Sequence, residues 1–180
     1  IACMHWGEEY QSLPNHAQRE LADWLLEQGV THIIGSHPHV IQPMELRKDG
    51  NQQHAVVYSL GNFISNMSAA NTDGGLIFTL KLEKYPLPNP IHPLQNNLSY
   101  SPSLKPFVSS FPFSRVIRCG YTLVWTARPT LTGEKNYILY PSYSSADNLP
   151  ESARNRLNIF IKNSRNLLLQ HNTGIYENNK

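Results

Sequence analysis

The chain has 180 residues and a mass of 20.5 kDa, with 40% hydrophobic and 16% charged residues. That size fits one globular domain, and three Trp, nine Tyr and six Phe are enough for a core, which excludes a disordered chain. Fifteen basic against thirteen acidic residues give a formal charge of +2, too weak and dispersed for a nucleic-acid partner. No apolar run reaches the roughly 18 residues that a membrane-spanning helix needs.

Ile1-Ala2-Cys3-Met4 reads as the end of a buried strand that runs straight into His5-Trp6-Gly7. A core strand with no lead-in predicts that the chain is part of a longer protein, whose N-terminal half would be its first partner. Pro14 to Gln28 reads as a helix, with Ser12 as N-cap and Pro14 suited to the first turn. Ala17, Leu21, Trp24, Leu25 and Gln28 fall on one face at spacings of three and four, and Gly29 is a good terminator. Val30 to Gly35 then predicts a short buried strand that delivers Ser36-His37-Pro38-His39 to its C-terminal end. Ala55 to Leu60 predicts a second strand, ended by Gly61-Asn62, and Leu76 to Leu82 a third with alternating pattern.

Between Tyr85 and Arg118 the periodicity stops. This stretch holds seven of the thirteen prolines and reads as an insertion or lid-like loop within a single domain spanning residues 1–180. Tyr121 to Ala127 and Asn136 to Tyr140 predict two more strands, joined through a turn at Thr132 to Lys135. Ser152 to Gln170 predicts a closing helix with a stripe of Leu157, Phe160, Ile161, Leu167 and Leu168. Cys3 and Cys119 form no CxxC pair and read as free, partly buried thiols, with a single disulfide between them left open.

Three features carry chemistry. In an extended segment, residues two apart point the same way, so His37 and His39 would face one point beyond a strand end, where ligand sites gather in open α/β sheets. Neutral imidazole is a common ligand for transition metals, although a bare HxH is usually two loop histidines. His5 follows an apolar segment in the same way, with Glu8 and Glu9 just beyond. Glu8 could accept a hydrogen bond from a ligating imidazole, bind a metal, or act as general acid or base. Glu9 reads as a solvated surface carboxylate, and Trp6 as core or pocket wall. Asn62 closes Tyr58-Ser59-Leu60-Gly61-Asn62-Phe63 and could donate to an oxyanion or phosphate, or be an ordinary turn residue. His16, His32, His54, His92 and His171 read as structural.

The runs HWGEEY, IIGSHPHVIQPME and VVYSLGNFIS, in that order around a Pro-started helix, resemble the bacterial CapA family of capsule and poly-γ-glutamate synthesis proteins. The resemblance is close from Ile1 to about Glu83 and looser through Tyr121–Tyr143, and it is to the C-terminal portion of the family. It implies an α+β fold of the four-layer αββα kind found in calcineurin-like metallophosphoesterases. It also implies a divalent metal (manganese, iron or zinc) on His5, His37 and His39. Glu8 is assigned to the carboxylate of the family's HWGxE, and Asn62 to its YSLGNF. The Asp-bearing strand ends that complete a two-metal site in the family are absent from this chain.

The expected function is capsule or exopolymer biosynthesis at the cell envelope, with a metal-dependent hydrolase as one reading. A non-catalytic accessory component that binds an anionic polymer or other capsule-synthesis proteins is the alternative, and a bare metal-binding domain a weaker third.

Overall fold

The computed structural model describes residues 1–84 and 114–178. A first sheet contains β1 (Ala2–His5), β2 (Ile33–Ser36), β3 (Met44–Asp49) and β4 (Gln52–Val57) in the order β1-β2-β4-β3. The first three in that order run parallel, and β3 is antiparallel to β4. The β3–β4 hairpin was not expected. Its sequence, Met-Glu-Leu-Arg-Lys-Asp, lacks a clean apolar alternation, although Gly50-Asn51 is a recognised two-residue hairpin loop, with Gly50 at φ 55°. Because β4 pairs with β3, it starts at Gln52 and ends at Val57, and Leu60 instead bridges to Ile41.

Helix α1 (His16–Glu27) crosses from β1 to β2. Its N-cap is Asn15 rather than Ser12, in a capping box: Gln18 N donates to Asn15 Oδ1 at 2.9 Å and Asn15 N to Gln18 Oε1 at 3.1 Å. Pro14 therefore precedes the helix instead of entering its first turn. The buried face also differs from the expected stripe. Gln18 and Ala22 are buried, whereas Leu21 and Trp24 are 38% and 54% exposed. The cap and a 2.9 Å hydrogen bond from Gln18 Nε2 to Gln42 Oε1 hold a polar residue inward, turning the Leu21/Trp24 side to solvent. Ala22 then packs with Trp6, Ile33, Val56 and Tyr58 on one face of the sheet.

The alternate residue Val57, with Met44, enters a second core shared with the other sheet. That sheet has β5 (Gly74–Lys84), β6 (Ser114–Ala127) and β7 (Ile138–Pro141) in antiparallel order, with β8 (Tyr176–Glu177) beside β6. Ser114 to Arg118 belong to β6, not to the Pro-rich loop expected there. Residues 85–113 of that expected loop lie outside the described residues. The turn expected at Thr132–Lys135 is replaced by a single helical turn, α2 (Pro129–Thr132), closed by Gly133 at φ 74°. Helix α3 (Glu151–His171) buries Ala153, Leu157, Phe160, Ile161 and Leu168 in the second core.

Two sheets with flanking helices make a mixed α/β chain compatible with the α+β expectation. Cys3 is exposed on β1 and Cys119 half-buried on β6; both are free thiols, and burial pushes Cys119 up to about 11. Among the described residues no helix is long and apolar enough to cross a membrane.

Candidate metal centre

The parallel register of β1 and β2 pairs Met4 with Gly35 and His5 with Ser36, so both strands end side by side. A Cβ on Gly35 would strike the Tyr58 carbonyl oxygen and Trp6 Nε1. Glycine there lets Trp6 Nε1 donate to Tyr58 O at 2.8 Å, which locks Trp6 into the wall below the strand ends.

Past Ser36 the chain is not extended. His37 has φ 105° and His39 φ 60°, so the alternation argument for their side chains does not hold. They are brought near each other by a tight, left-handed turn around Pro38, whose carbonyl accepts from Tyr10 N at 2.8 Å. The His5 and His37 rings lie 4.4 Å apart between centroids, and His37 and His39 6.2 Å apart. Tyr10, itself at φ 65°, stacks on His39 at 6.3 Å. Non-glycine residues in this region cost on the order of 1–3 kcal/mol each and concentrate at functional sites.

The two carboxylates separate. Glu8 points to the start of α1, where its Oε1 accepts from Asn15 Nδ2 at 3.2 Å. Gly7 does pack closely, at φ 85°, but against the Gln18 side chain, and Glu8 is left exposed. Glu9 is the carboxylate beside the histidines, its Oε1 3.8 Å from His39 Nε2. Counted along His5-Trp6-Gly7, the carboxylate of an HWGxE pattern also falls on Glu9, so the assignment of Glu8 to that position was one residue early.

Asn62 lies against the same histidine. Its Oδ1 is 3.0 Å from His39 Nδ1, and its Nδ2 donates to Thr72 O at 2.8 Å. Its backbone is fixed too, with Asn62 N donating to Gly74 O at 3.0 Å after Gly61 turns the chain at φ 73°. Periodicity could not have found this contact, which joins residues 23 apart in sequence.

Imidazole nitrogen and carboxylate oxygen are ligands for zinc and similar ions. The donors here form two neighbouring pairs, His5 with His37 and His39 with Glu9. Among the described residues, no three His, Cys, Asp or Glu side chains converge as a metal-holding group. The donor chemistry thus fits a divalent ion, and the coordination sphere it offers is partial.

Residues 1–67 match the family model described as bacterial capsule synthesis protein PGA_cap. The PGA biosynthesis protein CapA of Bacillus subtilis (strain 168) is 36% identical over 80 residues, covering 44% of this chain and 20% of the relative. The capsule biosynthesis protein CapA of Bacillus anthracis is 39% identical over 74 residues, covering 41% of this chain and 17% of the relative. The chain thus spans about a fifth of the length of the curated relatives it matches. No solved structure matches it. The segment that carries the histidine turn, residues 1–67, is therefore sequence of the bacterial capsule synthesis (PGA_cap, CapA) family.

Proposed function

We propose that this chain is the metal-binding portion of a protein for capsule or poly-γ-glutamate-type exopolymer biosynthesis, working at the cell envelope. The observation that carries the reading is the turn at His37 and His39. Two non-glycine residues sit at positive φ, with His5 4.4 Å from the first and Glu9 3.8 Å from the second. A fold keeps such strain where the side-chain placement matters.

A bound divalent ion would polarise a phosphoryl or similar oxygen and activate water. The chain's own residues would supply imidazole donors from His5, His37 and His39, with Glu9 facing His39. Glu8, bonded to the helix cap, supports the start of α1. A metallophosphoesterase-type αββα arrangement would add donors from the N-terminal half of the longer protein, which we take to be the chain's first partner.

The test is turnover of bis(4-nitrophenyl) phosphate and of poly-γ-glutamate by the chain with its N-terminal half, with and without Mn2+ or Zn2+. Metal-dependent turnover that disappears in His37→Ala supports a hydrolase. The partial coordination sphere favours a second reading, a non-catalytic accessory component that binds an anionic polymer. Polymer retention with no turnover under any metal would establish that second reading over the first.

A further inference from the structure

The amide of Asn62 has one chemically consistent orientation. On one side it meets the Thr72 carbonyl oxygen at 2.8 Å and the Met67 thioether sulfur at 3.5 Å, and both are acceptors. The NH2 group must therefore lie there, which leaves Oδ1, an acceptor, against His39 Nδ1 at 3.0 Å. A neutral histidine facing an acceptor carries its proton on that nitrogen. The other nitrogen, Nε2, is then a bare lone pair, and it faces the Glu9 carboxylate at 3.8 Å. Two acceptors opposed at that distance make a cation-accepting pair.

We propose that Asn62 is a positioning residue that holds His39 as the Nδ1–H tautomer, so that Nε2 is presented as a donor to a divalent cation. This gives Asn62 a role through His39 instead of direct contact with an oxyanion or phosphate, and its functional meaning rests on the metal reading above. The built surroundings support it. Thr72 is fully buried, and its carbonyl is held where Thr72 N and Oγ1 both donate to Ala69 O, at 3.2 and 2.8 Å. The Asn62 backbone is clamped between Gly74 O and a glycine turn. The amide thus arrives pre-oriented. A hydrogen bond to the non-ligating nitrogen is the usual way in which proteins set the tautomer of a metal-binding imidazole.

The experiment is long-range 1H–15N correlation on the histidine rings of the metal-free full chain, at a pH where His39 is neutral. His39→Gln assigns the signal. Wild type should show protonated Nδ1 and unprotonated Nε2. Asn62→Leu removes the acceptor and should shift His39 toward the Nε2–H form. Asn62→Asp keeps an oxygen acceptor for Nδ1 but loses the donor to Thr72 O, so it should hold His39 in the Nδ1–H form more weakly than wild type and more strongly than Asn62→Leu. Titration with Zn2+ on the same samples should show affinity reduced about 10–100-fold in Asn62→Leu. A wild-type His39 protonated on Nε2, or a pattern unchanged in Asn62→Leu, overturns the proposal. If the tautomers behave as expected but Zn2+ binds neither wild type nor variant, the positioning by Asn62 stands and the metal reading fails.

Discussion

His32 should make the fold acid-labile in a defined pH window. The ring is 1% exposed, and Nδ1 accepts from Ala55 N at 3.1 Å, so the proton of the neutral ring sits on Nε2. Nε2 has no partner of its own among the described residues. Burial, with nearby His54 adding to it, lowers the pKa from 6.5 to about 4. Protonation therefore favours the unfolded chain. The stability that neutral His32 contributes is complete above about pH 6.5 and is lost as pH falls toward 4. At pH 5 an unfolded ring is almost wholly charged and the folded ring about one-tenth charged, a difference of about 2 kcal/mol. Urea unfolding at pH 7.5 and pH 5 measures it directly. Other groups titrate in the same window, so the comparison is with His32→Asn, which keeps an acceptor and cannot titrate. Wild type should lose about 2 kcal/mol more than the variant between the two pH values. Equal losses would refute the buried-neutral assignment.

Gly35→Ala would drive a methyl group into the Tyr58 carbonyl and the Trp6 indole. We expect about 3 kcal/mol of destabilisation by urea unfolding, together with a changed near-UV signal from Trp6. Asp73 is buried, and its Oδ2 accepts from Trp125 Nε1 at 3.0 Å and from Arg156 Nε and Nη2 at 3.1 and 3.0 Å. Arg156→Ala leaves that carboxylate with Trp125 Nε1 as its one donor among the described residues, which should cost about 3 kcal/mol and lower Tm by about 10 °C in a melting scan. Asn15→Ala removes the α1 cap and the partner of Glu8, and should cost about 1 kcal/mol without changing Zn2+ affinity measured calorimetrically.

Apolar spacing made the principal helices and most strands of the fold legible, and it failed where polar contacts set the geometry. The helix before Gly29 was visible, but its inward face was not, because Gln18 is buried by its bonds to the cap and to Gln42. β3 reads as polar because its Arg47 is engaged by Glu45, by Asp23 of α1 and by the Tyr58 hydroxyl. At the candidate site the histidines were legible as a motif at a strand end. Their conformation was not, since only the folded turn reveals positive φ at His37 and His39. The choice of Glu9 over Glu8 was legible in the HWGxE count, and the fold agrees with it, the left-handed turn at Gly7 sending Glu8 to the helix cap and leaving Glu9 beside His39. The Asn62–His39 contact depends on how the β5 edge meets the Leu60–Asn62 turn, a long-range pairing that no local pattern encodes.

The most direct measurement is calorimetric titration of Zn2+ into the full chain, compared with His5→Ala, His37→Ala, His39→Ala, Glu9→Gln and Glu8→Gln. If the strained turn is a metal site, wild type binds a stoichiometric ion. His37→Ala and His39→Ala then abolish or severely weaken binding, Glu9→Gln weakens it, and Glu8→Gln binds as wild type does. Undiminished binding in all three histidine variants, or none in wild type, would contradict the metal site.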